Sequence, residues 1–379
     1  MVVAGLASPG LDGPGRRRRP EAVPLVRPAR DRPLPRIRLG VSACLLGSKV
    51  RFDGQHKRDS FLTGALAPLV EWVPVCPEVE VGMGVPREAV RLIASGPGAS
   101  PRMVGLTSGT DWTQRMNRFA ATRVRALASE ELSGFVLKSK SPSCGMERVK
   151  VFAEAESRGP AHARGAGLFA AALGAAFPNL PTEEEGRLED ARLRENFLER
   201  IFAYARLRAF WQHGQHGPDG AHEGKNDVRG DGRKDDRRDG WTLGGLVDFH
   251  AAHKMALLAH STEGYRALGR LVAGAKALRR AELRDRYEAG FMSTLAKLAT
   301  PGRHANVLSH LAGHLKHALD AADKEELNGL IEEQRRGHLP LVVPLTLLAH
   351  HARRCSAAYL LGQTYLNPRV EELRLRNRA

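Results

Sequence analysis

The chain is poor in cysteine and contains no long apolar run. Four cysteines among 379 residues are too few for the disulfide framework of a secreted domain, so we expect a reducing, cytoplasmic compartment. No stretch of about 18 consecutive apolar residues occurs, so no transmembrane helix is expected. The arginine cluster at 16–19 is not followed by the apolar segment that a secretory signal requires.

Acidic residues are outnumbered: 42 Asp and Glu stand against 58 Lys and Arg, for a net charge of +16. A basic chain favours a polyanionic partner, with nucleic acid first and an anionic membrane surface second. No motif indicates an obligate protein partner. The length allows two domains, each with its own core.

The pattern along the chain divides it into two domains. Residues 1–35, rich in Pro, Gly and Arg, are predicted to be a disordered basic arm, with a dispensable or misassigned start as the alternative. Residues 36–178 alternate apolar runs with helical stretches, which predicts an α/β domain with a mostly parallel sheet and flanking helices. The predicted strands are 37–43, 72–76, 89–93, 134–138 and 148–153, and the predicted helices are 59–70, 111–129 and 165–175.

The second half is predicted to be helical throughout. Residues 179–189 are predicted to be a linker, and 190–379 a separate all-α domain. A Gly- and charge-rich segment at 213–240 is predicted to be a disordered insertion, because it cannot bury a core. The predicted helical stretches are 190–211, 243–259, 262–298, 303–319, 322–336 and 344–360.

Three cysteines each follow an apolar, strand-like run. Cys44 follows 37–43, Cys76 follows 72–75, and Cys144 comes soon after 135–137. The carboxyl ends of parallel strands line the ligand crevice of such a sheet, so the three thiols would converge there if the runs share one sheet. Three thiolates can hold a soft metal or an iron–sulfur cluster and leave one position open. The spacing is not a local CxxC-type signature and does not decide between these.

The motifs around these cysteines resemble the thiouracil desulfidase family. They are SACLLG at 42–47 with RFDG at 51–54, PVCPE at 74–78 and KSPSCG at 140–145, and the likeness covers roughly 37–177. The helical remainder resembles a second bacterial domain that is often fused behind it, on VDFH at 247–250 with HK at 253–254, RHANVL at 303–308, LVVPLTL at 341–347 and YLNP at 365–368. The combination resembles desulfidases that remove sulfur from 4-thiouridine in tRNA.

This resemblance implies a cofactor and a reaction. Cys44, Cys76 and Cys144 would ligate a [4Fe-4S] cluster, and one iron would stay open for the thiocarbonyl sulfur of the substrate. The reaction would replace sulfur by oxygen without net electron transfer, and tRNA would be the partner. Many single-domain relatives carry a further cysteine six positions after the first, where this chain has Val50. Cys355 matches none of the motifs and is interpreted as structural.

Glu78, two residues after Cys76, is the first candidate for the base that activates water. Its alternative is to cap a helix or to pair with Arg87 or Arg91. Ser141 and Ser143 are candidates for hydrogen bonds to the cluster or the substrate, or else they are turn residues around a proline.

Basic side chains near this loop and in the helical half are candidate RNA contacts. The histidines and lysine at 250–254 contact phosphate or base if they are exposed and are core groups if they are not. A stripe at His310, His314 and His317 offers phosphate contacts, a weak zinc site or an ordinary polar face. The candidate RNA-binding residues are Lys138, Lys140, His250, His253, Lys254, Arg303, His304, Arg353 and Arg354.

Three other functions compete with the tRNA desulfidase. A desulfidase of free 2-thiouracil or another small thiolated base would use the helical domain to oligomerise. A non-catalytic iron–sulfur protein would bind nucleic acid and sense oxygen or iron. A sulfur transferase would work through a persulfide, with Cys144 beside Lys140 as its nucleophile.

Overall fold

The computed structural model describes residues 37–94, 96, 99–154, 160–161, 163–213 and 240–366. The predicted arm at 1–35, nearly all of the predicted insertion at 213–240 and the end of the motif at 365–368 lie outside these residues. No helix among the described residues is long and apolar enough to cross a membrane.

The first half of the chain holds eight strands in two sheets. The strands are β1 (Arg38–Ser42), β2 (Glu71–Val75), β3 (Val90–Ile93), β4 (Arg102–Gly105), β5 (Gly134–Leu137), β6 (Val149–Phe152), β7 (Ala163–Gly165) and β8 (Thr182–Glu184). The first sheet has the order β2-β1-β5-β8, and all its pairs are parallel. The second has the order β4-β3-β6-β7, and only its central pair, β3 with β6, is parallel.

Helices cover both faces of the first sheet, as a parallel sheet requires. The helices of this half are α1 (Pro77–Glu80), α2 (Thr113–Ala128) and α3 (Leu168–Ala176). One face of the sheet packs on α2 and α3 through Phe135, Val124 and Phe169. The opposite face packs on α4 (Ala191–His213) through Leu39 and Phe197.

One position of β1 accepts only glycine, because the ring of Phe135 on β5 lies against it. A Cβ atom on Gly40 would stand 2.1 Å from the ring of Phe135, which lies opposite it in the register. A contact under 3 Å would force buried atoms to shift. Gly40 therefore leaves room for the Phe135 ring, which packs in the core between the sheet and the helices α2 and α3.

The described residues from 240 to 366 form only helices and turns, which confirms the predicted all-α half. The helices pack in two clusters. One cluster joins the end of α4 to α5, α7 and α8, and the other joins α6 to α9, α10, α11 and α12. The helices are α5 (Leu243–Ala252), α6 (Lys254–His260), α7 (Thr262–Ala273), α8 (Arg280–Ala296), α9 (Pro301–Gly313), α10 (Ala321–Arg335), α11 (Val342–Arg354) and α12 (Ala358–Leu361).

The helix α4 belongs to both halves of the molecule. Its residues Phe197 and Ile201 pack on the first sheet, whereas Leu207 and Trp211 pack in the helical cluster. Polar contacts cross the same boundary: the Asn196 amide donates to the Leu295 carbonyl (2.9 Å). The two halves are therefore joined through a shared, buried helix.

Several predicted elements differ in the structure. The predicted linker at 179–189 contains the edge strand β8, which pairs with β5, so this segment belongs to the sheet. The predicted strands 89–93 and 148–153 form, but in the second sheet. The predicted helix at 59–70 is a π-helical turn, Phe61–Leu66, followed by a 3-10 turn, Ala67–Leu69, because Pro68 provides no amide hydrogen for a continuous α-helix.

Candidate functional site

Three cysteines meet at one edge of the first sheet. In the register, Ser42 at the end of β1 lies opposite Val75 at the end of β2, and β5 flanks β1 on its other side. Cys44 follows β1, Cys76 follows β2 directly, and Cys144 lies in the loop after β5. All three line one cavity of about 420 Å³. The parallel order therefore brings together thiols that are up to 100 residues apart in sequence.

Burial favours the protonated form of all three thiols. It raises the pKa of Cys44 to about 11, and the nearby Cys76 thiol shifts it in the same direction. Burial likewise raises the pKa of Cys76 and of Cys144, where the Ser42 hydroxyl opposes the shift and Glu78 adds to it. A bound metal centre would displace these protons, as it does at thiolate sites in general.

The donor set suits an iron–sulfur centre. The three cysteines are free, Cys44 and Cys144 are buried, and the Cys76 sulfur lies 3.8 Å from the Val50 carbonyl oxygen. Soft thiolates are the ligands that such clusters take in proteins. Within the described residues no three His, Cys, Asp or Glu side chains stand arranged around a single metal ion. Ligation by these cysteines is therefore part of the proposal below.

The Glu78 carboxylate lies at the same cavity and is held by three side chains. Its Oε2 accepts from Arg87 Nε (3.1 Å) and Nη2, and its Oε1 accepts from the hydroxyls of Ser143 (2.7 Å) and Ser141 (3.5 Å). The Glu78 and Arg87 side chains are 14% and 5% exposed. The predicted pairing with Arg87 occurs, and it leaves Oε1 beside the two serines. Capping falls instead to Glu80, which accepts from the Cys76 amide (2.9 Å).

The loop that carries Cys144 is fixed by polar contacts at both ends. The Lys138 amide donates to the Ser42 hydroxyl (2.9 Å). Near the other end, the amides of Ser143 and Cys144 both donate to the Ser141 hydroxyl (3.2 Å each). A Cβ on Gly145 would stand 2.4 Å from Val149, so the loop also packs too tightly there for any side chain.

Two carboxylates hold this loop from the side, Glu184 at the end of β8 and Glu185 directly after it, and the sequence analysis did not identify them. Glu185 accepts from the Ser139 amide (2.7 Å) and pairs with Lys138. The buried Glu184 accepts from the Met146 amide (2.8 Å) and lies 3.5 Å from Arg148 Nη2. The signal in the sequence was the run of three glutamates at 183–185. In the structure Glu183 and Glu184 are buried, which is unusual for a linker or for a solvent-exposed surface.

Two of the candidate RNA contacts lie at the cavity, and the others lie in the helical half. Lys140 is exposed, and Lys138 is partly buried; both line the cavity. Lys254 is partly buried and Arg303 is exposed, with Arg303 Nη1 donating to the His260 carbonyl (2.7 Å).

Two histidines in this set are core groups. His250 is buried against Tyr287, whose hydroxyl lies 3.2 Å from His250 Nδ1. His253 is buried with Nδ1 2.8 Å from the Phe249 carbonyl oxygen. The interpretation of these two as RNA contacts is wrong for this structure, because their rings face the helical core. Burial also lowers the pKa of His250 to about 4, so the ring stays neutral.

The remaining candidates lie on the surface of the helical half. His304 Nδ1 lies 2.8 Å from the Tyr365 hydroxyl. Arg353 and Arg354 are exposed, and Arg354 pairs with Asp323. The predicted histidine stripe is shorter than expected, because α9 ends at Gly313 and His317 lies beyond it. Cys355 packs against the helical core, as the structural interpretation predicts.

Comparisons with known proteins match both halves. A sequence profile of 2-thiouracil desulfurase matches residues 39–185, and a profile for a domain of unknown function, DUF1722, matches 254–369. YbgA of Escherichia coli K12, described as uncharacterized, is 36% identical over 138 residues, which are 36% of this chain and 82% of YbgA. YbbK of Bacillus subtilis 168, also described as uncharacterized, is 31% identical over 109 residues, 28% of this chain and 71% of YbbK.

One solved structure is also similar in sequence. It is described as the [4Fe-4S]-dependent thiouracil desulfidase TudS and is 29% identical. The match covers 41% of this chain and 94% of TudS, with a TM-score of 0.33.

Proposed function

Residues 39–185 of the chain belong to the 2-thiouracil desulfurase family, and from this premise we propose that the protein is an iron–sulfur-dependent desulfidase of thiolated tRNA. It converts 4-thiouridine to uridine and releases sulfide. Water supplies the oxygen, so one C=S bond is replaced by one C=O bond and no electrons are transferred overall.

One observation carries this proposal: three free cysteines and an ion-paired glutamate line a single cavity at the sheet edge. Cys44, Cys76 and Cys144 would hold a [4Fe-4S] cluster by three irons. When bound, such a cluster supplies a thiophilic Lewis acid with one coordination position open to a thiocarbonyl sulfur.

Glu78 is proposed to orient and deprotonate the attacking water. Arg87 donates to Oε2 from two nitrogens, which fixes the position of that oxygen. The other oxygen, Oε1, faces the serine hydroxyls and can accept a hydrogen bond from water. Ser141 and Ser143 then serve to position Glu78, and the Ser141 hydroxyl, which lines the cavity, can donate to charge that develops on the base.

The polyanionic substrate is supported by charge. The chain carries +16 overall, and the exposed Lys140 lies at the cavity itself. In the helical half, Lys254, Arg303, His304, Arg353 and Arg354 are proposed as further phosphate contacts. A large basic helical half has a clear use when the thiolated base is part of a long polyanion.

A second candidate function is desulfuration of free 2-thiouracil. The description of the matching family names this base, and a cavity of about 420 Å³ lies in the range of small-ligand pockets. The helical half would then serve another purpose, such as association of subunits.

The experiment uses the full chain, purified without oxygen and with its cluster reconstituted. It is incubated with bulk tRNA containing 4-thiouridine and, separately, with free 2-thiouracil. Loss of the near-ultraviolet absorbance of the thionucleoside, with sulfide and uridine appearing, is the expected result. Conversion of 2-thiouracil alone selects the second candidate. An intact cluster with no turnover of either substrate would overturn both and leave a sensor as the better explanation.

A persulfide mechanism is disfavoured by the thiol environments. Its nucleophile needs a lowered pKa, whereas burial raises the pKa of Cys144 well above its ordinary value. Activity that survives complete removal of iron would nevertheless restore that mechanism.

A further inference from the structure

An exposed aromatic side chain, Phe52, lies at the cavity, and two other exposed apolar residues, Val85 and Leu106, are close to lining residues in sequence or through a backbone hydrogen bond. Phe52 lines the cavity directly. Val85 lies two residues before Arg87, and the Leu106 amide donates to the Ala89 carbonyl, which belongs to another lining residue (3.0 Å). Among the described residues six large apolar side chains are exposed, and these three are half of them: Phe52, Val85, Leu106, Val247, Leu298 and Tyr359.

The backbone that carries Phe52 forms a tight turn. The Gly54 amide donates to the Arg51 carbonyl (2.9 Å), and the Arg51 amide to the Gln55 carbonyl (3.2 Å). Gly54 has φ +70°, a conformation that favours glycine. The Phe52 carbonyl in turn accepts from the Arg87 amide (3.0 Å). The segment that presents Phe52 is thus bonded to the residue that orients Glu78.

The Phe52 side chain is 42% exposed, although burial of a phenylalanine side chain stabilises a fold most when it is complete. Cationic side chains lie beside the ring or at the same cavity. The Arg51 guanidinium carbon lies 5.5 Å from the ring centroid, and Lys57 and Lys140 line the same cavity. Acidic groups are also present: Asp53 lies 3.4 Å from Arg51, and Glu78 lines the cavity.

An aromatic plane beside cations matches a nucleotide, which presents a flat base and an anionic phosphate in one unit. A base that reacts inside the cavity must leave its stack. Its neighbour in the RNA then loses a stacking partner at the mouth of the cavity, where Phe52 stands.

We propose that Phe52 is a stacking platform for the base next to the extruded thiolated base, and that Arg51 and Lys57 contact the phosphate between them. The inference rests on the proposed function, because it requires an RNA substrate. It adds the contact by which the site distinguishes a thiolated base in RNA from the free base.

The test compares Phe52→Leu, which keeps an apolar side chain but removes the aromatic plane, with Phe52→Trp, which enlarges the plane. Both full-length variants, loaded with cluster, are assayed on a short RNA bearing 4-thiouridine and on free 2-thiouracil. In Phe52→Leu, kcat/KM should fall roughly tenfold more for the RNA than for the free base, the size expected of one base–aromatic stack. Phe52→Trp should keep the wild-type ratio between the two substrates.

Binding gives a second readout that needs no turnover. A 2-aminopurine placed beside the thiolated base should lose fluorescence on binding to the wild type and to Phe52→Trp, and keep it with Phe52→Leu. Val247→Ala, at the most exposed of the six side chains (52%), is the matched control for lost apolar surface and should behave as the wild type does. Thermal melting confirms that each variant is folded.

Each outcome bears on a different claim. If the RNA is processed and Phe52→Leu leaves its kcat/KM and the quenching unchanged, the platform is overturned and the tRNA function stands. Equal losses on both substrates overturn the platform too, because Phe52 then contacts the reacting base. If the wild type converts 2-thiouracil and no thiolated RNA, the tRNA function fails and the platform fails with it.

Discussion

At the scale of single residues, the cavity is lined by three thiols, and a positively charged centre would stabilise their thiolate forms. Each of the three has a pKa raised by burial, so a metal centre held by these thiols would have to displace their protons. Cys355, by contrast, lies in the helical half and packs with apolar neighbours. The four cysteines therefore differ in a way that substitution can measure.

The first prediction concerns these cysteines. Cys44→Ala, Cys76→Ala and Cys144→Ala should each lose the visible absorbance of the cluster. Desulfidase activity should fall by more than about a hundredfold, because loss of a residue that merely hydrogen-bonds to a metal ligand already lowers activity by up to that factor. Cys355→Ala should keep iron, sulfide and activity. Iron and sulfide analysis with turnover assays checks this. Full iron content in any one of the three variants would remove that cysteine from the proposed ligand set.

The second prediction concerns Glu78. Glu78→Gln keeps the shape of the side chain but removes its charge, and kcat should fall by about 10²–10⁴, the usual contribution of a general base, with the cluster absorbance unchanged. It also strands the buried Arg87, and loss of one partner of a buried pair costs about 3–5 kcal/mol of stability.

A double variant separates these two effects. Glu78→Gln combined with Arg87→Met removes the stranded charge, so its melting temperature should recover towards that of the wild type while its kcat stays low. Recovery of activity together with stability would show that Glu78 acts only through the fold.

At the scale of elements, the site is assembled by the order of parallel strands. The apolar runs at 37–43, 72–76 and 134–138 predict β1, β2 and β5, and the position of each cysteine after its run predicts that the thiols meet. Those runs are buried on both faces of the sheet, and such strands have a continuous apolar sequence that is visible without a structure.

Other elements left no comparable signal. The strand β8 consists of Thr182 and two glutamates, residues with little strand preference, and it forms because β5 offers a free edge. The assignment of the runs 89–93 and 148–153 to a second sheet depends on pairing across distant segments, which periodicity does not encode. Burial of His250 depends on Tyr287, 37 residues away, so the exposure of a lone histidine could not be read locally.

The third prediction concerns β8 as a support for the cysteine loop. Glu184 is 2% exposed and accepts from the Met146 amide. Glu184→Ala leaves that buried amide without its partner, which should lower the free energy of unfolding by about 1–3 kcal/mol and reduce cluster occupancy, because Cys144 lies two residues before Met146. Denaturant titration and iron analysis measure the two effects.

Two further variants control this experiment. Glu184→Gln keeps an acceptor oxygen and should recover most of the stability. Glu189→Ala, at an exposed position five residues later, should change stability by no more than about 0.5 kcal/mol. If Glu184→Ala is as stable and as rich in iron as the wild type, β8 does not hold the loop.

At the scale of the whole molecule, α4 joins the sheet and the helical half through buried apolar residues. The helix is apolar around much of its circumference because it lies between two cores. Truncation before α4 would expose Leu39 and the rest of that sheet face to water, so deletion of the helical half is a poor test of its role. The response to salt examines the same question in the intact chain.

The last prediction is therefore a difference between two substrates in one protein. Binding to a polyanion releases counterions, so affinity falls steeply with salt. If two to three phosphates are contacted, KM for thiolated tRNA should rise about tenfold or more between 50 and 200 mM salt. KM for the uncharged 2-thiouracil should change less than about twofold, since its binding releases no counterions.

Lys140→Ala, which removes an exposed charge at the cavity, should lower the slope of log KM against log salt for tRNA by about one. Equal salt responses for the two substrates would mean that the basic surface does not track phosphates, and the helical half would then have to be explained by association of subunits.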